Sequence, residues 1–141
     1  MIFDIAIYLN ACLPGSMLFF VSVVSPTVFK TLDNKTSSKF LRSIFPRIFF
    51  FGFVVSFTSA MISLYSSKFL EFYSLVFISL LFLINRNIIT PKINFFRDKE
   101  IEGDVKAQKY FKLLHLISVI FFILNFLILI LLLSNNSFDF I

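Results

Sequence analysis

The stretch LLHLISVIFFILNFLILILLLSNNSF, Leu113 to Phe138, runs 26 residues without a formal charge. A helix rises about 1.5 Å per residue, so about 20 apolar residues cross a hydrocarbon core about 30 Å thick. This stretch is long enough to span a membrane. Working outward from it, Ile48 to Ser67 gives an uncharged run of 20 and Ile5 to Phe29 one of 25. Between Glu71 and Arg86 only 14 residues are uncharged, but the run reaches 21 from Phe69 to Ile89 when both charged heads extend to the interfaces. The fold read from these runs is all-α, an integral membrane four-helix bundle. It forms one transmembrane domain, residues 1–141, with spans at about 5–29, 47–67, 69–89 and 112–134.

Composition points the same way. Hydrophobic residues make up 58% of the 141 and charged residues 15%, against about 25% charged in a typical soluble domain. A soluble monomer is excluded. Phe supplies 23 residues and Trp none, so single Phe positions read as lipid-facing or core filler. One cysteine, Cys12, excludes an internal disulfide and a cysteine-built metal site, and one histidine, His115, excludes two-histidine haem ligation within the chain. The net charge of +5 lies beside the apolar runs, which favours anionic lipid over nucleic acid.

Orientation follows from where Lys and Arg fall. The first connection holds Lys30, Lys35, Lys39, Arg42 and Arg47, and the third holds Arg86, Lys92, Arg97, Lys99, Lys106, Lys109 and Lys112. The second has Lys68 alone, and neither terminus carries a basic residue. The expectation is a multi-pass protein of the cell inner membrane, with both termini outside and two basic cytoplasmic loops. Leu9-Asn10-Ala11-Cys12 looks superficially like a lipoprotein cleavage box, but Asp4 stands where a basic n-region is needed and apolar sequence continues past Cys12. The first span is therefore read as retained.

In the first loop Thr36 or Ser37 is expected to cap a short interfacial helix with Phe40, Leu41, Ile44 and Phe45 on one side, ended by Pro46. In the third, Gly103 interrupts and Asp104 caps, so the fourth helix is expected to begin near Val105. No internal repeat is read. For packing, Gly52, Ser56, Ser59 and Ser63 lie on one face of the second span, and Ala11, Gly15, Leu18, Ser22 and Ser25 form a similar stripe on the first. Small residues let membrane helices approach closely, so these two stripes are expected to meet. Pro14 is expected to kink the first helix beside Gly15.

His115, Ser118, Phe122 and Asn125 fall at helical spacing on the fourth span and are expected to face the bundle. Polar residues inside a membrane are functional candidates, although His115 can equally serve as an interfacial hydrogen-bonding group and Asn125 as structural glue. Asn85, Arg86, Pro91, Lys92 and Arg97, with Arg47, Lys112 and His115, suggest a basic pocket at the inner face. Such pockets suit phosphate-bearing head groups and other anions. The plainer account is that these residues only obey the positive-inside rule. No span holds a carboxylate away from its ends, which disfavours a carboxylate proton relay. The three glycines are scattered, so there is no phosphate loop. Cys12 and His115 belong to opposite membrane faces and cannot form a catalytic pair.

Several short motifs resemble a known family: Gly15 with Val24-Ser25-Pro26-Thr27-Val28-Phe29, Ile44-Phe45-Pro46-Arg47, Asn85 through Pro91, Arg97-Asp98, and Phe111 through Val119. Together, over roughly residues 10–130, they are similar to the domain of unknown function 4149 family, the bacterial relatives of transmembrane protein 205. The resemblance implies a four-helix integral membrane protein without an established activity and with no catalytic residues to carry over. Arg47 stands where that family's pattern has an aromatic residue. A more distant likeness is to small membrane proteins of the protoporphyrinogen-oxidase and copper-resistance type, but the first-helix histidine expected there is replaced by Asn10 in that region.

The leading expectation is an uncharacterised, non-enzymatic membrane protein with a basic cytoplasmic-face site built from Asn85, Arg86, Lys92, Arg97, Lys112, His115 and Ser118. That site would take an anionic lipid, a small anion or a partner protein. Gly15, Gly52, Ser56, Ser59 and Asn125 are expected to pack the helices. No metal site or cofactor is expected, haem being disfavoured. The partners are the lipid bilayer and its anionic lipids, with a homo-oligomer as an option and no nucleic acid. Two alternatives stand beside it: a porphyrin- or haem-linked membrane oxidoreductase using His115, and a small-molecule transporter subunit.

Overall fold

The structure, a computed structural model, describes residues 2–138. Met1 and residues 139–141, the two ends expected on the outer face, lie outside the described residues. The described chain is helical throughout, with no strand. Four helices follow one another: Ile2–Thr31, Asn34–Tyr65, Phe69–Ile101 and Val105–Phe138. All four are long and apolar enough to cross a membrane, and this is a multi-pass membrane protein. The first helix packs on the second and fourth, and the third packs on the same two. The first and third lie diagonally across the bundle.

The connections are much shorter than the basic loops expected from the charge pattern. Leu32 and Asp33 join the first pair of helices, Ser66 to Lys68 the second, and Glu102 to Asp104 the third. The basic residues ride instead on helical extensions. The second helix starts at Asn34, capped by Asp33, whose Oδ2 accepts from the backbone N–H groups of Lys35 at 3.0 Å and Thr36 at 3.1 Å. The Thr36 hydroxyl, and then these amides, hold the Asp33 carboxyl below its ordinary value. Thr36 and Ser37 are therefore not the cap. Nor does Pro46 end a short helix, because the helix runs through it to Tyr65. A proline within a membrane span is tolerated where neighbouring helices enclose the freed backbone. The fourth helix begins at Val105, as expected, with Asp104 Oδ1 accepting from Lys106 N–H at 2.8 Å and Ala107 N–H at 3.2 Å.

Two prolines are absorbed by a device that sequence pattern does not reveal. Residues Phe20–Val24 and Asn85–Ile89 form single π-helical turns. Ser25 N–H then bonds to the Phe20 carbonyl and Thr90 N–H to the Asn85 carbonyl, each five residues back. Pro26 and Pro91 follow directly, at the start of a fresh α segment, where a missing N–H is least costly. The third helix can therefore continue past Pro91 to Ile101. Both hairpins carry this same π-turn, Ser/Thr, Pro arrangement, a structural repeat not read from the sequence.

The core corrects the expected helix pairing. On the second helix Gly52, Ser56, Ser59 and Ser63 are all buried. The first helix does not meet them with its small-residue stripe. Ala11, Gly15, Leu18 and Ser22 are exposed, and nothing lies within 4 Å of a Cβ built on Gly15. Its inward face is Ala6, Asn10, Leu13, Met17 and Phe20. The bundle is wide enough there to take bulky side chains, and a stripe of small ones would leave voids. Ser22 is satisfied on its own helix by the Leu18 carbonyl at 2.5 Å. Ser59 meets the first helix instead through Asn10, while Gly52 faces the third helix, where the Phe82 ring covers it. Leu75, Ile78 and Leu129, each fully buried, complete the core.

Candidate functional site

At the basic end the helices diverge. Beyond the π-turn, the segment Ser25–Thr31 packs only on the second helix and on that turn; it reaches neither the third nor the fourth. The space left is a cavity of about 900 Å³. Met17, Phe20 and Phe29 wall it from the first helix, Phe45 and Phe49 from the second, and Phe122 and Phe126 from the fourth. Polar groups gather at its basic end: Ser37 and Arg42 from the second helix, Thr90, Asn94 and Arg97 from the third, His115 and Ser118 from the fourth. The cavity opens sideways, because several of its lining residues also form the bundle's outer surface: Val21 is 54% exposed and Phe29 62% on one lip, with Ile123 at 50% on the other. That opening lies at the depth of the apolar runs, so it faces lipid.

The guanidinium groups are held in place. Arg42 Nη2 lies 2.6 Å from Asp98 Oδ1 and ties the second helix to the third, and Arg97 Nη1 lies 2.6 Å from Glu100 Oε2. Arg97 also stands over the Phe111 ring at 5.1 Å, and that ring stacks on His115 with centroids 6.1 Å apart. A guanidinium has five N–H donors, so each arginine keeps donors free for a second acceptor. Behind the wall, the Asn85 amide is fully buried; its Nδ2 donates to the Ser118 carbonyl at 3.4 Å, and Oδ1 has no partner. The Asn85 backbone carbonyl accepts from Thr90 Oγ1 at 2.8 Å as well as from Thr90 N–H.

The seven residues grouped from the sequence are thus divided. Arg97, His115 and Ser118 line the cavity, and Asn85 braces Ser118 from behind. Lys92 and Lys112 are exposed and stand off the cavity wall. Arg86 lies on a different side, with Arg47, in a groove between the second and third helices. The separation follows from the π-turn Asn85–Ile89: residues eleven apart share a face on an uninterrupted α-helix, and the extra residue in that turn rotates Arg97 off the face of Arg86. Asn125 is fully buried below the cavity, and neither atom of its amide has a partner. Sequence reasoning missed Arg42 as a cavity residue; its spacing of three and seven from Phe45 and Phe49 was the available signal. Among the described residues no three of His, Cys, Asp and Glu come together as a metal site.

No curated protein and no solved structure matches the chain. The sequence model of one family does, over residues 8–102, which spans the first three helices and leaves out the fourth with His115, Ser118 and Asn125. That match covers more than half of the chain, and the protein belongs to the family described as Domain of unknown function (DUF4149).

Proposed function

We propose that this protein is a non-enzymatic inner-membrane protein whose basic end faces the cytoplasm and whose cavity binds an amphiphile with an anionic head. The observation that carries the reading is the sideways cavity, apolar along its length and bearing Arg42 and Arg97 at one end. A ligand dissolved in the membrane enters from lipid without crossing water. Its phosphate or carboxylate takes the free guanidinium donors, in the charge-assisted geometry arginine favours, and its apolar body lies against Phe20, Phe45, Phe49 and Phe122. A volume of about 900 Å³ suits one hydrocarbon chain with its head.

The chain has no tryptophan, so one introduced as Phe122→Trp reports on the cavity alone. With a doxyl-labelled fatty acid as probe, quenching should saturate at Phe122→Trp, and Arg42→Ala with Arg97→Ala should weaken it about tenfold or more, the scale of one charged hydrogen bond. Equal quenching at the outer-surface control Leu131→Trp, or no response to the arginine changes, sinks the reading. Orientation is tested separately in a Cys12→Ser background. A membrane-impermeant thiol reagent added to intact cells should label Ser67→Cys and spare Glu102→Cys.

A second reading rests on His115 sharing the cavity with two arginines. That set suits a tetrapyrrole with its propionates at the arginines. A Soret band in protein purified from its own membrane, lost in His115→Ala, would put this reading ahead of the amphiphile.

A further inference from the structure

A second, separate site lies on the opposite side of the second helix. Pro46, Arg47, Phe50, Phe51, Val54 and Arg86 line a groove of about 320 Å³ between the second and third helices. Phe50, Phe51 and Val54 are exposed there at 46%, 48% and 43%, so the groove is open to lipid along the apolar span. The two arginines mark one depth from two directions. Arg47 immediately precedes the uncharged run of the second helix, and Arg86 immediately follows that of the antiparallel third.

Their electrostatic situation differs from that of the cavity arginines. Arg42 and Arg97 each hold a carboxylate, whereas among the described residues neither Arg47 nor Arg86 has one within 4 Å. The Arg86 guanidinium rests on the Phe50 ring at 4.6 Å, which fixes its position and leaves its N–H edge free. Two unpaired guanidiniums at a hydrocarbon boundary attract a counter-anion, since charges there are screened less than in water. Within the bilayer the anion available at this depth is a lipid phosphate. We infer that this groove holds an anionic bilayer phospholipid, its phosphate between Arg47 and Arg86 and an acyl chain along Phe50, Phe51 and Val54. This site is independent of the cavity and of the ligand assigned to it.

The test is native mass spectrometry of protein ejected from nanodiscs containing phosphatidylcholine and phosphatidylglycerol in equal parts. Wild-type protein should retain a phosphatidylglycerol that Arg47→Gln with Arg86→Gln loses, while Arg42→Ala with Arg97→Ala retains it. Melting in detergent gives a second readout: added phosphatidylglycerol should raise the Tm of wild type and of Arg86→Lys, and leave the double glutamine variant unmoved. Equal lipid retention in wild type and that variant overturns the inference. So does displacement of the lipid by millimolar inorganic phosphate, because the site would then be one for a free anion.

Discussion

The Ser59 hydroxyl donates to Oδ1 of Asn10 at 2.7 Å, with both side chains fully buried between the first and second helices. The Ser59 Oγ also lies 3.2 Å from the Ala6 carbonyl oxygen, a second acceptor for its one proton. Hydrogen bonds between membrane helices average about 0.6 kcal/mol in double-mutant cycles and reach about 1.7. Ser59→Ala should lower the Tm in detergent, and the cycle with Asn10→Ala should give a coupling of that size. A coupling of zero would mean that this bond does not hold the first helix in place.

Gly52 and Gly15 make opposite predictions for the same substitution. A Cβ on Gly52 would lie 2.7 Å from Cζ of Phe82 and 2.8 Å from both Cε atoms, in a ring that is itself buried. Gly52→Ala should destabilise by about 1–3 kcal/mol through overpacking, and Phe82→Leu should restore part of the loss. Gly15→Ala meets nothing within 4 Å and gains helix propensity, so it should be neutral or stabilising by up to about 1 kcal/mol. Measured unfolding in mixed micelles checks both. Equal losses at the two positions would contradict the packing described above.

Of these two glycines only Gly52 lies on a buried face, and it meets Phe82 of the third helix where the sequence pattern points to the first; the reason is physical. The second helix alternates small and large residues, so its small face is legible. The first is apolar around nearly its whole circumference, and nothing in its pattern separates Leu13-Met17-Phe20 from Leu18-Ser22-Ser25 as the inward side. The spans themselves were legible because charge is sparse and uncharged runs have a minimum length. The helical extensions were not, because Lys and Arg look alike on a loop and on a helix. The two π-turns left no compositional trace beyond Ser25-Pro26 and Thr90-Pro91. The extra residue of the Asn85–Ile89 turn rotates Arg97 off the face of Arg86, so the candidate site was legible only in Arg97, His115 and Ser118.

Ser67 ends the second helix in the left-handed region, with φ of 57°. Its N–H bonds to the Leu64 carbonyl at 3.0 Å and Lys68 N–H to the Ser63 carbonyl at 2.9 Å. The third helix ends in the same arrangement at Gly103, φ 97°, with Gly103 N–H on Glu100 and Asp104 N–H on Lys99. A side chain in this conformation costs about 1–2 kcal/mol. Ser67→Gly should therefore raise stability by about 1 kcal/mol and Gly103→Ala lower it by a similar amount. Opposite signs in thermal melts are the expected result; a loss on Ser67→Gly would show that the serine side chain is needed.

Asp98 occupies part of the Arg42 guanidinium that the amphiphile head is proposed to share. The pair is well exposed, at 32% and 56% for the two side chains, so breaking it changes stability little. Its effect on binding has a definite sign. Asp98→Asn removes a negative charge 2.6 Å from Arg42 and leaves more of that guanidinium for an incoming carboxylate or phosphate. With the doxyl fatty acid and the Phe122→Trp reporter, Asp98→Asn should tighten binding a few-fold, the scale of an exposed ion pair. Arg42→Ala should weaken it, and the double variant should behave as Arg42→Ala alone, since Asp98 then has no partner to compete for. If Asp98→Asn tightens binding equally with Arg42 absent, its effect is the general field of the basic end and Arg42 does not hold the head group.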